Sequence, residues 1–249
     1  MRDRRPRVAI FRPADERLDR SVDRLAQLGF EAVPDPMLEI VPSGKLPRPD
    51  AEILILTSRT AANVLRDAEW AQPDIPLYAI GGPTASALSE AGYRVADTPE
   101  TYTSAGVVEY LQDDVDGVRV EVARSDHGSA VLIDGLIDAG AYVHETVLYR
   151  LQKPADAGTS IEQLIDGHID AMLFTSTLTV EHFLDAATER NVRDDVIEGV
   201  RRCVVGAIGP PTRRTLEAHE LEVDVVPGEV TFDALAEALA DDERVWHRS

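Results

Sequence analysis

Lysine and cysteine are scarce in this sequence. Lys45 and Lys153 are its two lysines, and arginine supplies the rest of its 25 basic residues. Cys203 is the one cysteine, which excludes an internal disulfide and a cluster of thiolate metal ligands. Because Cys203 stands beside two valines, we expect a buried thiol with a structural role.

Long apolar runs and the motifs of several catalytic classes are also missing. No segment approaches the roughly 20 apolar residues that cross a bilayer, and the run at residues 8–11 is too short for a signal peptide core. The six histidines are scattered without an HExxH pair, and no GxGxxG, phosphate loop or GxSxG elbow occurs. Residues 125–128 are contiguous and cannot form a triad alone, so we expect a turn there. The sequence therefore predicts a cytoplasmic protein without a metal or nucleophile signature.

The charge that is present is strongly acidic, with 45 acidic residues and a formal net charge of −20. Such a charge argues against a nucleic-acid partner, whose phosphates would be repelled. An acidic, lysine-poor surface resembles that of proteins from salt-loving organisms, because about 1 M salt screens charges beyond roughly 3 Å. We predict a halophilic protein, the alternative being an ordinary acidic one.

Strand and helix patterns alternate along the whole chain. Leu18, Val22, Leu25 and Leu28 recur at helical spacing, and Gly29 stops that helix. Short apolar strands are predicted at residues 8–11, 31–33, 53–56, 77–80, 118–123, 141–149, 171–174 and 202–205. This alternation predicts an α/β fold with parallel sheets.

The chain also repeats itself, with halves at about residues 1–112 and 113–249. Three pairs of segments match in the same order: residues 53–58 with 171–176, residues 79–84 with 207–212, and Thr103 with Thr231. Several collinear matches favour an internal duplication over coincidence.

Hydroxyl residues and glycines follow the strands in both halves. Gly82 and Thr84 lie in one Gly-Pro-Thr turn and Thr212 in the other, where free N–H groups and the helix dipole favour anions. Two Thr-Ser pairs follow other strands, at the edge where open α/β sheets bind ligands. These are Thr57 with Ser58, and Thr175 with Ser176. The alternative is that the turns are only helix starts and the serines only helix caps.

These segments together resemble the uroporphyrinogen-III synthase family, from Val8 to about Leu239. The resemblance is carried by the order and spacing of residues 10–13, 28–30, 56–58, 79–84, 140–150, 174–176 and 207–212. Two positions depart from the family pattern: Pro211 stands where a hydroxyl residue is frequent, and Gly82 where a polar residue is usual.

The resemblance implies two flavodoxin-like domains joined by a two-stranded linker. One domain would combine residues 1–38 and 151–249, and the other would span residues 42–147, with linkers near 38–41 and 147–151. The cleft between them would bind the small-molecule substrate hydroxymethylbilane without a cofactor or metal. The resemblance is also compatible with a transient contact between this protein and the preceding enzyme of the pathway.

The resemblance also implies a reaction in which positioning dominates. The terminal hydroxyl of the substrate leaves as water, and the last pyrrole attacks through its substituted carbon to give a spiro intermediate that recloses inverted. Tyr149 matches the family's cleft tyrosine and is the candidate proton donor, the alternative being an aromatic that packs on the linker. The candidates for the substrate carboxylates are arginines at strand ends and linkers. They are Arg12, Arg59, Arg124 with the adjacent Ser125, and Arg150.

Two other functions stay open from the sequence. One is a non-catalytic tetrapyrrole- or anion-binding module on the same duplicated scaffold. The other is a nucleotide or sugar-phosphate transferase, which the missing phosphate loop disfavours.

Overall fold

The computed structural model describes residues 4–247, which contain nine strands and eleven helices. The strands are β1 (Arg7–Phe11), β2 (Glu31–Pro34), β3 (Glu39–Pro42), β4 (Ile53–Leu56), β5 (Leu77–Ala79), β6 (Arg119–Ser125), β7 (Tyr142–Gln152), β8 (Ala171–Phe174) and β9 (Val204–Ala207). The helices are α1 (Glu16–Gln27), α2 (Arg59–Asp67), α3 (Gly82–Glu90), α4 (Ser104–Leu111), α5 (Ala130–Asp138), α6 (Ile161–Ile165), α7 (Thr177–Glu189), α8 (Arg193–Arg201), α9 (Pro210–Ala218), α10 (Phe232–Ala240) and α11 (Glu243–His247). No helix in this part of the chain is long and apolar enough to span a membrane.

The chain divides into two compact units. We call Met1–Glu39 with Gln152–Ser249 the discontinuous unit, and Ile40–Leu151 the inserted unit. The discontinuous unit has a four-stranded sheet in the order β2-β1-β8-β9, and β3 joins the inserted unit's sheet in the order β3-β7-β6-β4-β5. The pairs of β1 with β2 and β8, and of β6 with β4 and β7, are parallel. The predicted α/β fold with parallel sheets is confirmed.

The core of the discontinuous unit lies on both faces of its sheet. Phe11 and Phe174 from neighbouring strands stack at 4.6 Å, and Phe183 from α7 packs 4.9 Å from Phe11. On the other face, Leu25 of α1 and Leu235 of α10 are fully buried in a second apolar cluster. Helices thus cover both faces of this sheet. Because both faces are buried, consecutive residues of its strands are apolar.

The inserted unit is built the same way. Leu65 of α2 and Leu88 of α3 pack on one face of its sheet, whereas Leu111 of α4 and Leu132 of α5 pack on the other. The alternating residues of β4 divide between the two clusters, as the period-two geometry of a strand requires.

The sheet orders support the predicted duplication. The order β2-β1-β8-β9 corresponds to β7-β6-β4-β5 when each strand is matched to its counterpart in the other half of the chain. Each sheet therefore combines the first two strands of one half with the last two of the other. Two isolated parallel bridges, Tyr78 with Asp97 and Gly206 with Val225, also occupy matching places. The duplication itself remains a prediction.

Several predicted strand ends differ from the structure, and two strands differ most. The strand predicted at residues 202–205 runs from Val204 to Ala207, because α8 continues to Arg201 and Arg202 caps it. Strand β7 extends to Gln152, beyond the predicted residue 149, because β3 lies beside it in the sheet. The prediction for Cys203 is confirmed, since the residue is buried and its thiol donates to the carbonyl of Ile169 at 3.3 Å.

Candidate functional site

The predicted site residues lie at the carboxyl edge of each sheet, because parallel strands end at the same edge. In the inserted unit these residues are Thr57 and Ser58 after β4, Gly82 and Thr84 after β5, Arg124 and Ser125 at the end of β6, and Tyr149 in β7. In the discontinuous unit they are Arg12 after β1, Thr175 and Ser176 after β8, and Thr212 after β9. Each unit thus gathers its own half of the predicted set.

Tyr149 forms a hydroxyl pair with Ser58 in the inserted unit. The phenol oxygen lies 2.9 Å from Ser58 Oγ, and the ring is buried in the apolar cluster of α2 and α3. Ser58 caps α2 and accepts the N–H of Ala61 at 3.0 Å. A serine hydroxyl has one proton and two acceptor positions. The two hydroxyls therefore carry two protons, and the hydrogen bond between them engages one. The other proton is free to be donated to a ligand.

The matching hydroxyls of the discontinuous unit are more fully used by the protein. Ser176 caps α7 and forms a capping box with Thr179. Thr175 Oγ1 donates to the carbonyl of Phe11 at 2.7 Å. This arrangement agrees with the capping alternative for Ser176, whereas Ser58 combines capping with the bond to Tyr149.

Thr84 and Thr212 are the third residues of α3 and α9 and are 5% and 3% exposed. Among the described residues, neither hydroxyl has a hydrogen-bond partner. Gly81 and Gly209 cap these helices without a side-chain bond, so the first turns lack an internal acceptor side chain. These features favour the anion-site prediction.

The two turns differ in their backbone donors. Gly82 is the first residue of α3 and Pro83 the second. In α9 both Pro210 and Pro211 precede Thr212, and neither has an N–H. The turn of α3 keeps the N–H of Gly82, so the inserted unit has the stronger backbone anion site.

Tyr102 is a further candidate site residue, which the sequence analysis missed. Its side chain is 60% exposed and lies against the turn that begins α3. A Cβ at Gly81 would come within 2.6 Å of the Tyr102 ring, so glycine at this position makes room for the aromatic. The signal available in the sequence was its position, since Tyr102 precedes Thr103 and Val230 precedes the matching Thr231. Val230 lies against Gly209 as Tyr102 lies against Gly81. Tyr102 gives this edge an exposed aromatic face beside the α3 amides.

Arg12 is the best-placed arginine for a carboxylate. Its Nη1 donates to Ser21 Oγ at 2.6 Å, and its guanidinium lies 5.1 Å from the ring centre of Phe232. Its Nε is buried, with no hydrogen-bond partner among the described residues. Burial lowers the pKa of Arg12, and repulsion from Arg17 lowers it further. A carboxylate beside this guanidinium would offset both effects, because an opposite charge favours the charged form of arginine.

Arg124 is used inside the inserted unit. It is 5% exposed, and its Nε donates to Glu145 Oε1 at 2.6 Å while Nη1 donates to the Ser129 carbonyl at 2.5 Å. These contacts favour a structural role. Of the other candidates in this unit, the side chains of Arg59 and Arg150 are exposed and that of Ser125 is half-buried. The expected turn after Ser125 is confirmed.

The described residues contain no group of three or more His, Cys, Asp or Glu side chains placed to hold a metal ion.

Comparisons with known proteins agree with one another. A family model described as uroporphyrinogen-III synthase HemD matches residues 19–237. A protein of Methanothermobacter thermautotrophicus provisionally named uroporphyrinogen-III synthase is 34% identical, with 94% of this chain and 97% of the relative covered. The uroporphyrinogen-III synthase of Synechococcus elongatus is 28% identical, with 87% and 88% covered.

Solved structures show the same fold at lower identity. A crystal structure of a mutant uroporphyrinogen III synthase from the extremely thermophilic bacterium Thermus thermophilus matches with a TM-score of 0.63 at 18% identity, covering 98% of this chain and 100% of that one. The uroporphyrinogen-III synthetase of Helicobacter pylori matches with a TM-score of 0.63 at 16% identity, covering 93% and 97%.

Proposed function

The chain belongs to the uroporphyrinogen-III synthase family, and from this premise we propose that the carboxyl edges of its two sheets handle a linear tetrapyrrole. The activity is the closure of hydroxymethylbilane into uroporphyrinogen III, with loss of water and inversion of the last pyrrole ring. The match over most of the chain to proteins of this name carries the assignment.

We propose that catalysis combines one proton delivery with extensive positioning. The substrate closes by itself without inversion, so the enzyme must hold the last ring where its substituted carbon attacks. Departure of the hydroxyl as water needs a proton. The hydrogen bond between Tyr149 and Ser58 supports these two hydroxyls as its source, with Ser58 as the more exposed member.

Binding in this proposal depends on local donors, since a protein of charge −20 repels a polycarboxylate at long range. Arg12 supplies a guanidinium with an unused buried Nε, and the α3 turn supplies the N–H of Gly82 and the Thr84 hydroxyl. Tyr102 supplies an aromatic surface on which a pyrrole ring stacks.

Replacing Thr84 and Thr212 by valine tests the anion-binding turns. Valine keeps the shape of threonine and removes its hydroxyl. We expect KM for hydroxymethylbilane to rise about tenfold in T84V, because the variant loses about one hydrogen bond to a charged group. The rise in T212V should be smaller. Thr215→Val is the matched control, because the Thr215 hydroxyl bonds to the Pro211 carbonyl within α9. Unchanged KM in both T84V and T212V would leave these turns as helix starts only.

The acidic, lysine-poor composition supports a further proposal, that the protein is adapted to high salt. Repulsion among its surface carboxylates destabilises the compact state when it is unscreened. We expect the melting temperature and the activity to fall together as KCl is lowered from about 2 M to about 0.1 M. Replacing the exposed Asp113 and Asp114 by asparagine should reduce this dependence. A salt-independent melting temperature would contradict the adaptation.

A cytoplasmic location and a transient contact with the preceding enzyme complete the proposal. Direct transfer would shorten the time in which the free substrate closes without inversion.

The decisive experiment incubates the protein with freshly generated hydroxymethylbilane and separates the product isomers. Isomer III is the expected product. Isomer I alone, at the spontaneous rate, would favour the non-catalytic binding module instead.

A further inference from the structure

One pocket of the inserted unit lies away from the candidate site. It has a volume of about 640 Å³ and is formed by the starts of β6 and β7 together with residues 48–51. Glu121 in this pocket precedes Ser125 by four residues on the same strand, which separates the two by about 13 Å at the usual rise of a strand. The pocket therefore opens near the amino ends of the strands, at the opposite edge of the sheet.

Glu121 is a buried carboxylate with one unused oxygen. The residue is 1% exposed, and its Oε2 lies 2.7 Å from Nδ1 of His144. Its Oε1 is buried and has no hydrogen-bond partner among the described residues. A buried charged oxygen without a donor is costly, so this arrangement favours a donor that enters from the pocket.

The fold does not require a carboxylate at this position. Arg12 and Arg124 occupy matching places after β1 and at the end of β6. Three residues before them, the register pairs Ala9 with Val33 in the discontinuous unit and Glu121 with His144 in the inserted unit. Both members of that second pair are buried in an apolar cluster. The same strand position thus packs well with alanine, and Glu121 is an addition specific to this unit.

The other charges around the pocket already have partners. Arg119 Nε donates to the Asp50 carbonyl at 2.7 Å, and Arg48 Nε lies 3.2 Å from Asp50 Oδ1. The remaining walls include the exposed side chains of Tyr142 and Ile137, which are 71% and 51% exposed. The pocket therefore combines exposed apolar side chains with a buried carboxyl oxygen that lacks a partner among the described residues.

We propose that this pocket binds a small organic ammonium ion with an apolar body. The ammonium group donates to Glu121 Oε1, and the apolar body packs against the exposed ring of Tyr142, two residues before His144 on the same face of the strand. The net charge of −20 attracts cations to the protein. A metal ion fits less well, since the described residues provide no group of three metal-ligating side chains. The site is separate from the cyclisation chemistry and does not depend on it.

Calorimetric titration with phenethylammonium tests this site, with 3-phenylpropionate as the probe of opposite charge. We expect phenethylammonium to bind and 3-phenylpropionate not to bind. Glu121→Gln should weaken binding about tenfold or more, as expected for removal of one charged hydrogen-bond partner. Glu109→Gln makes the same charge change on the exposed face of α4 and should leave the affinity within about twofold of the parent, because long-range charge effects are screened.

Tyr142→Ala gives a second test if Glu121→Gln fails to fold, because Tyr142 is largely exposed and its replacement should leave the fold intact. We expect it to weaken phenethylammonium binding several-fold through the lost ring contact. The proposal is overturned if phenethylammonium does not bind the parent, if it binds Glu121→Gln equally well, or if Tyr142→Ala binds as tightly as the parent.

Discussion

Tyr149→Phe is expected to lower the turnover of hydroxymethylbilane about 100-fold, the lower end of the usual effect of a general acid. The lower end applies because the substrate closes unaided. Phenylalanine keeps the buried ring and removes the hydroxyl that lies 2.9 Å from Ser58 Oγ. The share of isomer I should rise as spontaneous closure competes. Single-turnover rates and isomer separation measure both effects, and the free energy of unfolding should fall by only about 1 kcal/mol.

Ser58→Ala separates the proton pathway from packing. It should also lower turnover, because it removes the more exposed member of the pair, and it should cost about 1 kcal/mol as a lost helix cap. Ser176→Ala removes the equivalent cap of α7 and is the matched control, with a similar loss of stability. A packing role for Tyr149 predicts the opposite pattern, in which Tyr149→Phe keeps full turnover and the parent isomer ratio.

Asp35→Ala is expected to destabilise the discontinuous unit by about 3 kcal/mol or more, since it removes three hydrogen bonds to one buried carboxylate. Asp35 is fully buried and accepts the N–H of Gly158 at 2.9 Å, the N–H of Ser160 at 2.9 Å and the hydroxyl of Ser160 at 2.5 Å. These bonds connect the residue that follows β2 to residues 158–160, where the chain has returned to this unit after β7.

The two tryptophans allow this effect to be assigned to one unit. Trp246 stacks on Phe30 at 4.8 Å in the discontinuous unit, and Trp70 lies in the inserted unit. In a Trp70→Phe background, denaturant unfolding followed by Trp246 fluorescence should shift to lower denaturant in Asp35→Ala. Asp185→Ala, an exposed aspartate on α7, should leave the midpoint unchanged. An unshifted transition in Asp35→Ala would show that these bonds contribute little.

Local patterns predicted the strands well where the chain is apolar on both faces. The strands at residues 53–56 and 171–174 were predicted with the bounds that the structure has. The bounds failed where a contact from elsewhere in the chain decides them, as where β3 lies beside the extended end of β7. Tyr102 was missed for the same reason, since its role depends on its contact with Gly81 and not on its own neighbours in sequence.

The sequence by itself determined the parallel α/β class, the strand ends that carry hydroxyls and Arg12, and the resemblance that the family match confirmed. These follow from burial period and turn chemistry, which act over a few residues. The tertiary structure alone decided that β1 lies between β2 and β8, that Tyr149 meets Ser58, and that Glu121 is buried with an unused oxygen. Strands of similar apolar pattern can pair in many orders, and only the packing of the whole chain selects one of them.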